Sequence, residues 1–301
     1  MWVRWLLQVA FAGEELLVVG MDETSVQHQM PGRLGNAIDV PGERASLAQH
    51  FFGKADAKQN RAHTTLVAFA CNDNGMQKYM PQLFLPSSKH QAISVRDRAL
   101  FAGIGLPTET WEGTGGWVNS NIMKRILTRL RKIIRGRRPG VCILLVLDAA
   151  SQHISNEVLI HAAQLQIYLL LVPSHLTWLL QVLDVYVFAL LKRRMHELQT
   201  TDRLASSTGA LAPGAWIQHV GQAVQEVLVN GMWADSFAKL GVQVGREGLS
   251  ARLEPYMPVE AEIVPRPLRD DEIEHLVGKH RLNVECRFLM LRGHLSAGGR
   301  H

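Results

Sequence analysis

Val141–Asp148 reads VCILLVLD, seven apolar residues, β-favouring as a group, in an unbroken row that ends on an acid. A strand with one wet face alternates apolar and polar residues, so an uninterrupted run of this length is the pattern of a strand covered on both faces. Its neighbours fit that place. Upstream, Asn119 or Ser120 caps a helix running to about Ile134, with Ile122, Ile126, Leu130, Ile133 and Ile134 recurring on one face, and Arg137–Gly140 (RRPG) stops it. Downstream, Ser155 opens a helix reaching about Ala163. Ile167–Val172 (IYLLLV) then reads as another buried strand, closed by Pro173, and a helix follows from roughly Val182 to Leu198.

Further out, Glu15–Met21 (ELLVVGM) is a short apolar run that meets Asp22 and Glu23, the pattern of a strand entering its loop. A polar connection with Gly and Pro runs through Lys58. Thr64–Cys71 (TTLVAFAC) is a second strand, Asn72–Gly75 is hairpin punctuation, and Pro81–Leu85 (PQLFL) is a third strand, completing an antiparallel meander before a loop rich in Gly and Thr. The order is therefore three strands, helix, strand, helix, strand, helix. That is the element order of an α/β, ribonuclease H-like mixed sheet with helices on both faces. Residues 1–200 are expected to form this core and 201–213, rich in Ser, Thr, Gly, Ala and Pro, a linker or loop. Residues 214–301 are expected to form a mainly helical extension. In it, Trp216, Val220, Val224, Val227, Leu228, Trp233 and Phe237 pack, and the Gly298–His301 tail is disordered.

Composition narrows the function. The chain has 301 residues, 47% of them hydrophobic, enough for a sizeable core; 32 Lys and Arg against 27 Asp and Glu give a net charge of +5 and a pI near 9.3, which suits a polyanionic partner. Cys71, Cys142 and Cys286 are far apart and form no CxxC or Cys/His spacing, which argues against a zinc site or a disulfide framework and for a reducing compartment. Met1–Ala12 is apolar but carries Arg4 and leads into Glu14 and Glu15, so it does not read as a signal peptide. Ile167–Phe188 is interrupted by Pro173, His175, Gln181 and Asp184, which argues against a membrane span.

Three acids stand where the proposed fold would bring them together: Asp22 leaves the first strand, Asp148 leaves the fourth, and Asp184 begins the last helix. The first and fourth strands of such a sheet are neighbours. Mg²⁺ prefers carboxylates and water, and two such ions about 4 Å apart can activate an attacking oxygen and stabilise a leaving one. Three close carboxylates repel one another, and a cation relieves that repulsion. Plainer readings stand beside this one: Asp22 as the end of a strand or a turn cap, Asp148 as a structural acid of a βα loop, and Asp184 as a helix N-cap. Glu23 is expected to point away from Asp22 along an extended backbone, as an outer partner of the site or a cap.

Met21–Thr24 (MDET), Leu147–His153 (LDAASQH) and Pro173–Phe188 (PSHLTWLLQVLDVYVF) with Leu191–Arg194 (LKRR) resemble, in order, the three acidic blocks of the DDE-superfamily endonuclease domain of pogo, Tigger and jerky-like transposases. Thirty-five residues separate Asp148 from Asp184, similar to that family's spacing, and the resemblance covers roughly Leu16–Gly241. It implies Asp22, Asp148 and Asp184 as catalytic and metal-holding residues, two Mg²⁺ or Mn²⁺ ions as cofactors, DNA as the partner, and transfer or hydrolysis of DNA strands. His153 matches the block's histidine and belongs near the scissile phosphate or in a structural role. Two departures stand out: Ala149 where the family usually has Asn, and Val182 where it usually has Pro. The helix-turn-helix module that such transposases carry ahead of the first acid is not expected here, since Asp22 lies 22 residues from the start. The runner-up reading is therefore a transposon-derived nucleic-acid-binding protein with an eroded site.

Eight basic residues lie between Lys124 and Arg138: Lys124, Arg125, Arg129, Arg131, Lys132, Arg135, Arg137 and Arg138. Most fall opposite the Ile and Leu stripe, which reads as a phosphate-binding ridge, as a solvated helix face, or as a nuclear-import signal. Lys192, Arg193 and Arg194 follow the third acid and would meet an incoming strand. Trp178 and Tyr186 flank that acid, either to stack on a base or, for Trp178, to sit in the core. The chain is expected to be nuclear, with a possible homodimer, no membrane contact and no small-molecule cofactor.

Overall fold

In a computed structural model, Cys142–Asp148 forms strand β5 in the interior of the sheet, in parallel register with Leu16–Gln27 (β1) on one side and Ile167–Val172 (β6) on the other. The structure describes residues 15–27, 63–86, 95–111, 115–207, 211–212, 214–242 and 249–253. The expectations for Met1–Ala12, the connection through Lys58 and the terminal tail lie outside those residues. On the far side of β1, His63–Cys71 (β2) and Gln82–Pro86 (β3) continue the sheet antiparallel, and Thr108–Thr110 (β4) closes the edge parallel to β3. The order β4-β3-β2-β1-β5-β6 is a three-stranded meander joined to two parallel crossover strands, the ribonuclease H-like arrangement with one extra edge strand.

Alternation along β5 sorts its side chains into two cores. Ile143, Leu145 and Leu147 pack with Leu17, Val19 and Met21 under the helix Ser120–Arg135, whose buried stripe is Ile122, Met123, Ile126, Leu127, Leu130, Ile133 and Ile134. Asn119 caps that helix by accepting from the Ile122 N–H at 3.0 Å, as its sequence implies. Leu144 and Val146 face the opposite side, where Val18, Ala68 and Ala70 meet residues from Leu183 onward. In chain order the helices are α1 (Asn74–Gln77), α2 (Val95–Gly103), α3 (Ser120–Arg135), α4 (Asn156–Gln164), α5 (Thr177–Leu180), α6 (Phe188–Ala205), α7 (Ala215–Ala223) and α8 (Ala234–Lys239). The expected packing residues Val220, Val224, Leu228, Trp233 and Phe237 belong to the same core as Val18 and Leu144, so the helices after 214 cover the second face of the sheet. Among the described residues no helix is long and apolar enough to cross a membrane.

Four local expectations give way to the structure. First, β1 does not stop at Met21: β2 goes on pairing with it as far as Gln27, so Asp22 and Glu23 lie inside a strand rather than after one. Second, Asn72–Gly75 is not a tight hairpin, because the Asp73 carboxylate accepts from the N–H groups of Gly75 (2.7 Å) and Met76 (3.1 Å) and caps the single turn α1. Third, α2 and β4 stand where a loop was expected. One lacks a clear apolar stripe and the other is three residues long, too little periodicity to read. Fourth, the last helix follows a separate turn, α5, that ends at the extended Gln181; it passes through a π-helical stretch at Leu183–Val187 and runs past Leu198 to Ala205.

Candidate active site

The last register pair between β1 and β5 is Gly20 with Val146. Asp22 and Asp148 each lie two residues further on, level with one another, and because side chains alternate they project to the same side of the sheet. At that level β5 ends while β1 continues, paired only with β2, so the sheet has a step at the two acids. The side they face is the one covered by the π-helical stretch, whose Leu183 and Val187 are buried with Val18 and Val146 and which carries Asp184. That stretch is docked on β1 by two adjacent residues. Gln181 Nε2 donates to the Met21 carbonyl at 3.1 Å, and Val182 lies over Gly20, where any Cβ would come within 2.7 Å of Val182 Cγ1. Gly20 is thus required by close approach.

The charges respond to this placement. Burial, followed by the negative field of Asp184, pushes the Asp22 carboxyl up to about 8, with Glu23 and Asp148 adding to the rise and the Glu23 N–H, donating to Asp22 Oδ1 at 2.7 Å, opposing it. The Asp148 carboxyl behaves oppositely. Its partial burial works against the charged form, but the hydrogen bond and charge of His153 outweigh that and hold it below its ordinary value. His153 is fully buried, with Nδ1 2.6 Å from Asp148 Oδ1 and Nε2 3.0 Å from Glu23 Oε1. Burial alone would discharge the ring, yet its two carboxylate partners raise it to about 10, so it sits as a cation between them. Glu23 points to the opposite face from Asp22, as alternation requires, and His153 reaches it there. The histidine thereby joins β1 to β5 where their ladder has ended.

All the anionic donors here are carboxylate oxygens, the chemistry that suits Mg²⁺ or Mn²⁺, and an Asp22 carboxyl that resists ionisation beside Asp184 is a group that a cation would relieve. The fit lies in donor type and field, not in a closed ligand shell. Among the described residues no group of three or more His, Cys, Asp or Glu side chains is gathered so as to hold a metal ion. The donors to Asp148 from described residues, His153 and the Ala150 N–H, both address Oδ1.

The basic residues are mostly engaged. Lys124 pairs with Glu157 at 2.8 Å, Arg129 with Glu109 at 2.5 Å, Arg131 bonds Gln166 at 3.0 Å, and Arg125 and Arg137 lie over the rings of Trp111 and Tyr79. Arg138 pairs with both Glu15 and Asp73. Since α3 returns to β5 through a short loop, it runs antiparallel to that strand. Its first turn stands at the acid end of the sheet, and Arg131 through Arg138 stand at the other end. Lys132 and Arg135 are exposed and have no ion-pair partner among the described residues. On α6, Arg194 is held by Glu226 (2.5 Å) and Glu197 (3.3 Å) and Arg193 lies 3.9 Å from Glu197, whereas Lys192 is exposed beside the Phe188 ring. Trp178 is not core: it is 49% exposed, its indole N–H fixed on the His175 carbonyl at 2.9 Å. Tyr186 is partly buried against the α6-side core. Sequence reading passed over Gln181, although its signal was present as a single amide inside the apolar run LTWLLQVLD.

A family model for the DDE superfamily endonuclease matches residues 62–223, more than half of the chain. The chain belongs to the DDE superfamily of endonucleases. The matched span holds Asp148, His153 and Asp184, while Asp22 precedes it. Among solved structures, the chain is similar to the Mos1 transposase in a paired-end complex with a left transposon end. The identity is 15% and the TM-score 0.42, and the match covers 81% of this chain and 60% of that one. No curated protein matches the chain.

Proposed function

We propose that this chain is the catalytic core of a transposase-derived, metal-dependent DNA endonuclease or strand transferase, in which Asp22, Asp148 and Asp184 hold the divalent ions. The observation that carries the reading is the level, same-side placement of Asp22 and Asp148 on adjacent strands, with Asp184 the foremost charge acting on Asp22. Bound Mg²⁺ or Mn²⁺ would supply Lewis-acid activation of the attacking oxygen and stabilisation of the leaving one. The chain's own residues do the rest. Asp22 and Asp148 present oxygens from rigid strand positions, His153 fixes one Asp148 oxygen and leaves the other for a cation, and Glu23 holds the histidine from behind. Lys192 and the exposed Trp178 flank the third acid, where they would meet a phosphate and a base of the DNA. Lys132 and Arg135 remain available for a more distant phosphate contact. A nuclear location and a homodimer accord with this role.

A second reading, a catalytically eroded binding protein, is favoured by one specific observation: Asp148 is already committed to a histidine cation and no closed ligand group stands among the described residues. Calorimetric titration with Mn²⁺ separates the two. Uptake by the intact chain that disappears in Asp148→Ala supports the nuclease, as does nicking of supercoiled DNA that depends on the same residue. Metal-independent DNA binding with no Mn²⁺ uptake supports the eroded form.

A further inference from the structure

We infer that Gln181 is the positioning residue that sets the Asp184-bearing segment against Asp22. Its place in the pocket deepens the metal-site reading above, while its role as a clamp stands without it. Gln181 is 1% exposed, the one amide between Leu180 and Val182 in an otherwise apolar stretch. The Met21 carbonyl to which its Nε2 donates lies one residue past the last β1–β5 pair. Where the neighbouring strand has run out, a side chain supplies the donor that a buried carbonyl needs. The Gln181 carbonyl in turn accepts from the Val185 N–H at 3.0 Å, which starts the stretch carrying Asp184. One residue therefore grips the chain immediately before Asp22 with its side chain, and with its backbone begins the helical turn of Asp184, three residues on. Val182 over Gly20 adds a contact that admits no larger residue beneath it.

A second, independent observation concerns the other end of the amide. Gln181 Oε1 is buried with no hydrogen-bond partner among the described residues, an uncommon state for a buried carbonyl oxygen. An open acceptor on the residue that holds Met21 suits a donor brought in from outside the chain, and water carried by a divalent cation has that chemistry. Gln181 thus fixes the separation of two acids and offers an oxygen to the hydration shell of whatever they bind.

The test uses Gln181→Met, which keeps the length and removes the amide, and Gln181→Asn, which keeps the amide but shortens its reach. The Glu23 N–H donates to Asp22 Oδ1, so its hydrogen exchange reports the pose of Asp22 without metal. Both variants should exchange at Glu23 at least about tenfold faster than the parent, with Leu145 in β5 unchanged. Exchange at Glu23 within twofold of the parent, or equal acceleration at Leu145, overturns the inference. Mn²⁺ affinity should fall about tenfold or more in Gln181→Met, the size expected when a ligand loses its outer support. If the parent takes up no Mn²⁺ while Glu23 exchange responds, the clamp stands and the metal reading falls. If Mn²⁺ uptake requires Asp148 yet both it and Glu23 exchange are untouched in the two Gln181 variants, the clamp falls and the metal reading stands.

Discussion

The acids where the β1–β5 ladder stops and the cations along α3 carry opposite charge, and the chain answers the two in different ways. Along α3, Lys124, Arg129 and Arg131 are met by Glu157, Glu109 and Gln166, and two further guanidinium groups are covered by aromatic rings. At the acid end, the buried cation His153 answers Asp148 and Glu23 alone, and Asp22 is left facing Asp184 with no positive partner among the described residues. A run of charge in a sequence marks a ligand site only when the fold leaves it unanswered. By that criterion the short acidic motifs mean more than the long basic helix.

The comparison can be broken most forcibly at Asp148. Asp148→Ala strands a fully buried histidine and should cost about 1–3 kcal/mol of stability, the range for a buried polar group that loses its partner, along with all Mn²⁺ uptake. Urea unfolding beside calorimetry checks both effects; full stability would mean that His153 is not tied to this acid.

Asp22 provides the next largest effect, and its sign follows from linkage. With a folded value of about 8 against an ordinary 3.8, Asp22 is neutral in both states below about pH 4. Its contribution to stability is lost as pH rises from there through about 8. His153, at about 10 against 6.5, contributes fully below pH 6.5 and loses that contribution as pH rises through 10. Metal-free stability should therefore decline from about pH 4 to pH 10. Asp22→Asn should be the more stable protein at pH 8 and indistinguishable near pH 4 in chelator-containing buffer. Saturating Mn²⁺ should shrink that advantage by stabilising the parent.

On the other side of the comparison, Arg129→Ala removes a partly exposed pair and should cost about 0.2–1 kcal/mol, with little change in DNA affinity. Replacing Lys132 and Arg135 by Ala should leave thermal stability within about 0.5 kcal/mol and lower the salt slope of DNA binding by about 2, one for each lost phosphate contact. An unchanged slope would remove α3 from the DNA-facing surface altogether.

Long apolar runs made most of the fold legible. β2, β5 and β6, and α3 with its Asn119 cap, fall where periodicity puts them, because their burial is written in consecutive residues. The elements that escaped reading take their structure from elsewhere. β4 is three residues held by pairing to β3, and the extra length of β1 is imposed by β2, not by any signal in MDETSVQ. The same holds in the candidate site. Asp22, Asp148 and Asp184 could be named from their places in the element order, Glu23 from its adjacency to Asp22, and His153 from the resemblance to the family block. That one histidine serves two acids on opposite faces, or that Gln181 holds the third segment down, depends on distances between residues 130 and 160 positions apart.

The π-helical stretch at Leu183–Val187 has a consequence for how this region tolerates length changes. Each wide turn holds about one residue more than an α-turn, so the bearing of Asp184 toward the sheet is uncoupled from that of α6 behind it. Were the stretch to wind as regular α-helix with its residue number unchanged, the acid would swing by about 100° relative to Leu191 and Met195, which anchor α6 in the core. The surplus residue thus acts as a phase adjuster between an anchoring helix and an outward-aimed carboxylate. Deleting one residue from 185–187 while the stretch rewinds to regular α-helix should therefore keep the acid on its bearing.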